Sequence, residues 1–264
     1  MKLNTDKMIA ETENGIGWMT FNNPQRRNAL SLEMQEAIPV ILGSFAQDDE
    51  VRVVVMRGAG GQAFVSGADI SEFEARRSSP EAIEEYNRIG AEAGSAYRAL
   101  GKPLIAMVQG YCMGGGLLTA LRADLRIASE DSQFGVPAVR LGLGYGYDGV
   151  KALVDLVGVA YTREILLTGD RFSAQDAWRM GLVNRVVPAS ELESTVRGLA
   201  RTIAENAPLT IRAIRVAIEE AAKDAAQQDL ARVERLVADC FASEDYIEGR
   251  RAFLEKRRPR FVGR

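Results

Sequence analysis

The chain contains no histidine, and that absence excludes a great deal. Without imidazole there is no Ser-His-Asp or Cys-His nucleophile and no imidazole base. His-ligated zinc sites, HExxH among them, are impossible as well. Any chemistry has to come from carboxylates, tyrosine, lysine, arginine or main-chain donors. Cysteine is nearly as scarce. Cys112 and Cys240 make neither a CxxC motif nor a disulfide framework, the usage expected in a reducing compartment. No apolar run reaches membrane-spanning length, and the polar start from Met1 to Lys7 leads into no secretory signal. Cytoplasm is therefore the expected location. Charge of one sign is lacking too: a net charge of -3 over 264 residues argues against nucleic acid or an anionic membrane as partner. What remains, with 47% apolar residues, suffices for one large domain or two smaller ones.

The hydrophobic pattern alternates between strand and helix. Met8–Glu13 and Ile16–Asn22 read as strands joined at Asn14-Gly15, a hairpin signal. Ser31 is placed to cap a helix running to Gln47, with Leu32, Met34, Ile38, Ile41, Leu42 and Phe45 at helical spacing. Val51–Arg57 is a buried strand ending in a glycine-rich loop, 58–69. Pro80–Leu100 reads as helix, Pro103–Gln109 and Asp124–Ser129 as strands, and Phe134–Gly149 as irregular chain. Two helices follow near Val150–Val157 and Tyr161–Leu167. Ser173 then caps another, Val183–Val187 is a short strand, and 189–257 is almost wholly helical with a break at Ala207-Pro208. This is an α/β organisation with a helical tail available to pack on a neighbour, divided here into a core over 1–200 and a helical region over 201–264.

Two glycine-rich stretches carry possible chemistry. Gly110 to Leu118 follows a strand and enters a helix around the triplet Gly114-Gly115-Gly116. Bare N–H groups at a helix start favour negative charge, or the glycines serve only close packing or a left-handed turn. Gly144-Tyr145-Gly146-Tyr147-Asp148-Gly149 spells G-x-G-x-x-G. The segment before it carries Pro137 and Arg140 and is no buried strand, so a nicotinamide or flavin cofactor is not expected.

Six stretches in order, Asn23-Pro24 to Asn28-Ala29-Leu30, Ala63 to Ile70, Gly110 to Gly116, Phe134-Gly135-Val136-Pro137, Leu167 to Asp170 with Ala174 to Ala177 and Gly181 to Val183, and Ala252 to Arg257, resemble the enoyl-CoA hydratase/isomerase (crotonase) family over nearly the whole chain. The resemblance implies a spiral of ββα units with a C-terminal helical trimerisation region. It also implies a trimer or dimer of trimers, and an acyl-CoA thioester as substrate with no cofactor beyond that CoA. Two backbone N–H groups, of Ala68 after Gly67 and of Gly115, would stabilise an enolate on the thioester oxygen. CoA would run along the 24–30 and 66–71 loops, past Ala29, Ser66, Gly67, Asp69 and Ile70. Arg26 or Arg27 would serve its phosphates, unless each is a solvated surface charge. Asp69 fits a helix cap better than a catalytic acid. Phe253 and Lys256 match a C-terminal pair that reaches the CoA of an adjacent subunit, or Phe253 is ordinary core.

The chain departs from the hydratases of this family at two positions. Their paired glutamates fall two residues after the glycine triplet and directly after the proline of Phe-Gly-x-Pro, where this sequence has Leu118 and Ala138. Neither can move a proton, and losing positioned acid–base catalysis costs ~10²–10⁴ in rate. Tyr145 falls where methylmalonyl-CoA decarboxylase, a relative without the glutamate pair, carries a tyrosine. Asp148 stands in or near the loop where isomerases and dehalogenases of the family place an aspartate, and it equally suits capping a helix from Gly149. The expectation is an acyl-CoA lyase working through an enolate, by decarboxylation of a malonyl-type ester or by atypical hydration. The alternatives are an isomerase using Asp148 and a catalytically silent CoA-binding member.

Overall fold

The structure, a computed structural model, describes residues 3–72 and 79–264. Met1 and Lys2 of the polar start lie outside them. Among the described residues ten strands form two sheets. β1 (Met8–Glu13), β2 (Ile16–Phe21), β3 (Val53–Gly58), β5 (Leu104–Val108), β7 (Leu125–Ser129) and β10 (Arg185–Val187) make the larger, in the order β1-β2-β3-β5-β7-β10. β4 (Ala63–Val65), β6 (Tyr111–Met113), β8 (Gln133–Gly135) and β9 (Phe172–Ser173) make the smaller, in that order. β1 and β2 are antiparallel through a turn in which Asn14 and Gly15 both have positive φ, the geometry that an Asn-Gly hairpin supplies. From β2 onward the large sheet is parallel.

Three strands of the large sheet, β3, β5 and β7, each hand the chain to a short strand of the small one and then to a helix. β3–β4 leads to α2 (Pro80–Ala99), β5–β6 to α3 (Gly115–Ala120), and β7–β8 to α4 (Tyr147–Thr168). These are the ββα turns of a spiral. α1 (Leu32–Gln47) packs with α2 over the inner face, where Met19, Phe21, Val54, Met56, Ala106 and Val108 join one core. The alternate residues Ile16, Trp18, Val53, Val55, Ile105 and Met107 face outward and are covered by Leu192, Val196 and Ala200 of α6 (Leu192–Ala204). With both faces covered, β2 is buried along its whole length, so these strands read as continuous apolar runs.

After α5 (Ala174–Arg179) and α6, the chain continues in α7 (Pro208–Ala221), α8 (Leu230–Ala242) and α9 (Glu244–Leu254). The 200/201 division falls inside α6. The break at Pro208 is a helix start with proline in the first turn. α7–α9 leave Ile214, Ile218, Val237, Phe241, Ile247 and Phe253 exposed.

Several local expectations need correction. Ser31 occupies the N-cap position of α1 but makes no capping bond, and its buried hydroxyl is unpartnered. The Glu72 carboxylate accepts from Leu32 N instead, at 3.0 Å, so the cap comes from across the fold. The 58–69 loop contains β4, and the stretch expected to be irregular contains β8, a 3₁₀ helix over Pro137–Leu141 and the start of α4. The two helices expected after Val150 are both present, joined with no loop and separated at Gly158, where φ is 75° and ψ 171°. Ser173 does cap its helix, in a reciprocal capping box with Asp176.

Candidate active site

Two main-chain amides from separate loops border one cavity of about 160 Å³. The first belongs to Ala68. Leu30 N–H donates to Gly67 O at 2.8 Å and Asp69 N–H donates to Leu30 O at 2.9 Å, forming an isolated parallel bridge between Leu30 and Ala68. Main-chain groups alternate in direction along extended chain, so these two bonds turn the N–H of Ala68 itself away from Leu30. Gly67 makes this possible at φ +119°, a conformation open essentially to glycine.

The second amide is that of Gly115, the first residue of α3, whose N-terminus has no side-chain cap. Its N–H is one of those a helix start leaves free. Within the triplet the glycines divide their tasks. Gly114 has φ 51° and ψ -116°. Gly116 lies against β4, where a β-carbon would come 2.0 Å from Val65 O. Gly115 has neither constraint, and a β-carbon on it would sit 3.7 Å from Ala68 N. The two amides are therefore neighbours, and the missing side chain at 115 leaves the Ala68 nitrogen uncovered.

Ser66, Gly67, Ile70, Val136, Pro137, Ala138, Leu141, Leu143 and Tyr145 complete the cavity wall. Tyr145 supplies a polar side-chain group there. Its hydroxyl is shielded from solvent with no hydrogen-bond partner among the described residues, and burial pushes the phenol above its ordinary range. Leu118 does not line the cavity; its methyl groups approach Gly149 beside the Tyr145 ring. Asp148 is the second residue of α4, exposed and off the cavity wall. It is not the helix cap either, since Gly146 holds that position.

Of the residues expected along CoA, Ser66, Gly67 and Ile70 line the cavity, whereas Arg26, Arg27, Ala29 and Asp69 do not. Asp69, 8% exposed, accepts from Ser71 N at 3.0 Å and Ser71 Oγ at 2.6 Å. It thus holds a 3₁₀ turn, in keeping with a capping role. Arg26 donates to Ser71 Oγ at 2.8 Å and reaches Asp69 Oδ1 at 3.5 Å. Arg27, exposed and left-handed at φ 51°, lays its guanidinium over Tyr111 at 5.2 Å. Ala29 is half-buried behind them. Phe253 and Lys256 lie at the end of the tail, away from the cavity. Phe253 is 84% exposed, which rules out the ordinary-core alternative within one subunit. Cys112 is fully buried, its thiol pushed upward by desolvation, as suits an inert core position. Among the described residues no cluster of His, Cys, Asp or Glu is placed to hold a metal. Likewise no helix is long and apolar enough to cross a membrane.

Asn28 lies in the 23–30 stretch, where the sequence assigns it no role of its own. Fully buried, it donates from Nδ2 to Ala59 O at 2.9 Å and Ala63 O at 2.7 Å, and accepts from Asn23 N at 2.9 Å. It pins the 23–28 loop to the chain entering β4, and so sets where Leu30 meets Ala68. Its sequence signal is an asparagine directly after two arginines in a turn, a residue type that tolerates φ > 0. Leu141 and Leu143 were also missed, although every second residue from Leu141 to Tyr147 is large and the ones between are glycine.

The ββα spiral thus carries a small apolar cavity bordered by the Ala68 and Gly115 segments. The sequence profile described as "Enoyl-CoA hydratase/isomerase" matches residues 11–264, and the chain belongs to that family. It is 35% identical to the short-chain-enoyl-CoA hydratase of Clostridium acetobutylicum, over 98% of this chain and 97% of the other. It is 32% identical to the 2,3-dehydroadipyl-CoA hydratase of Escherichia coli, over 98% and 99% respectively. Among solved structures, an enoyl-CoA hydratase from Bacillus anthracis superposes with TM-score 0.88 at 30% identity, covering 98% of this chain and 100% of that one. The fold is the crotonase fold, and the chain is an enzyme of the acyl-CoA-handling family that shares it.

Proposed function

We propose that this enzyme is a lyase that removes CO₂ from a short malonyl-type CoA thioester through an enolate. The thioester oxygen sits between Ala68 N–H and Gly115 N–H, which gain strength as negative charge develops there. One such donor is worth roughly 2.7–4 kcal/mol where it has been measured. The C–C bond to the carboxylate breaks, its electron pair passes into the enolate, CO₂ leaves, and the α-carbon takes a proton from water. No base is needed, which suits a site with Ala138 on the cavity wall and Leu118 behind it, at the positions where the family resemblance sets glutamates. Their absence removes repulsion against a substrate carboxylate. The Tyr145 hydroxyl carries this reading: shielded from solvent and without a hydrogen-bond partner among the described residues, it is a free donor beneath the apolar wall that a bound carboxylate would uncover and engage. CoA itself follows the 24–30 and 66–71 loops, with Arg26 and Arg27 at its phosphates. The exposed apolar face of α7–α9 packs against other copies in a trimer or dimer of trimers.

A second reading, hydration or double-bond migration through Asp148, draws on the hydratase names of the relatives. The exposed position of Asp148 weighs against it. Incubation with methylmalonyl-CoA and with crotonyl-CoA in D₂O, followed by mass spectrometry, separates the two. Decarboxylation gives propionyl-CoA with one deuterium at the α-carbon. Hydration of crotonyl-CoA alone overturns the proposal in favour of the second reading. Turnover of neither ester, with CoA still bound, overturns both and leaves a silent CoA-binding member.

A further inference from the structure

Gly149 lies in the first turn of α4 with a φ outside the positive range. Glycine is a poor helix former, and no backbone conformation requires it there. Its bare α-carbon instead makes room. A β-carbon at 149 would meet Tyr145 Cε1 at 2.9 Å, Leu118 Cδ2 at 3.2 Å and Leu118 Cδ1 at 3.4 Å. The ring of Tyr145 and the branched end of Leu118 thus converge on one point of the helix that carries no side chain. The neighbouring Gly142, Gly144 and Gly146 face open space, with nothing within 4 Å, so close packing distinguishes Gly149 within this segment. Among the described residues Tyr145 has no hydrogen bond to fix its hydroxyl. Packing has to do so.

We propose that Gly149, with Leu118, is a positioning residue: the two form the seat that holds the Tyr145 hydroxyl at the acyl cavity. This rests on the reading in which Tyr145 orients the substrate carboxylate. It also gives position 118 a purpose, since a leucine there supports the ring from the side. A methyl group at 149 would occupy part of the seat, and Leu118 blocks escape on that side. The ring has to turn, and its hydroxyl leaves the carboxylate while the two amides stay in place.

A double-mutant cycle tests this in the full-length enzyme, with methylmalonyl-CoA as substrate and circular dichroism to check folding. Misplacing a catalytic group by about 1 Å costs up to ~10²-fold, so Gly149→Ala is expected to lower kcat about tenfold or more. In a Tyr145→Phe background the same change is expected to cost less than about twofold, because coupled residues depart from additivity. KM should move less than kcat, as expected when an interaction important to the transition state is lost. An unchanged kcat in Gly149→Ala, or equal losses in both backgrounds, overturns the proposal. If Gly149→Ala does not fold, Leu118→Ala removes the other side of the seat. The cycle is then repeated with it: coupling to Tyr145 supports the proposal and independence overturns it. A Tyr145→Phe enzyme at the wild-type rate overturns the reading of Tyr145 itself, as does a wild-type enzyme that spares the substrate.

Discussion

Replacing Asn28 by alanine tests how the site is held together. The substitution deletes two donors and one acceptor from a fully buried position and strands Ala59 O, Ala63 O and Asn23 N. At about 1 kcal/mol net per hydrogen bond, the loss is about 3 kcal/mol. Asn28 also has φ 55°, and a β-carbon in that conformation costs roughly 1–2 kcal/mol. The wild-type asparagine already bears that backbone cost, so alanine loses only the bonds, while glycine loses the bonds and relieves the strain. Urea unfolding at fixed protein concentration should place Asn28→Ala about 3 kcal/mol below wild type, with Asn28→Gly about 1 kcal/mol above the alanine variant. Turnover should fall in both, because the 23–28 loop feeds the Leu30–Ala68 bridge that aims one of the two amides. An alanine variant within 1 kcal/mol of wild type would refute the hydrogen-bond accounting. Equal stability of the alanine and glycine variants would refute the backbone part.

The pH profile offers a second check. Burial raises the Tyr145 phenol above its usual value of about 10, so the neutral donor persists through that pH. The kcat for decarboxylation should stay flat from pH 7 to about 10, and a decline centred within that range counts against Tyr145 as the donor. Analytical ultracentrifugation should find a trimer or hexamer, given the apolar groove of about 710 Å³ lined by Ile214, Phe241 and Phe253 among others. Phe253→Ala should raise KM for the CoA ester more than it lowers kcat if that ring reaches a neighbour's CoA. A monomeric wild type would remove the basis for both expectations.

Much of this protein could be read from the chain alone. The lack of histidine restricted the chemistry to carboxylates, other side chains and backbone, because no conformation can supply a missing imidazole. The continuous apolar runs at 53–56 and 104–108 marked buried parallel strands, since a strand covered on both faces has no polar side to show. Leu118 and Ala138 told against glutamate chemistry before any geometry was known. The short strands of the small sheet were less legible. β4, β6 and β8 have three residues each, too few for alternation to build a signal.

Tertiary structure alone decided which residues meet. Whether a helix start is capped from within or from across the fold, as Glu72 does for Leu32, depends on contacts 40 residues apart along the chain. The same holds for the neighbouring amides of Ala68 and Gly115, for Asp148 turning outward beside an inward Tyr145, and for Gly149 lying under an aromatic ring. Sequence fixes the groups available at each position. Only the packed chain fixes distance and direction, and in this enzyme the candidate chemistry rests largely on main-chain groups that every residue but proline possesses.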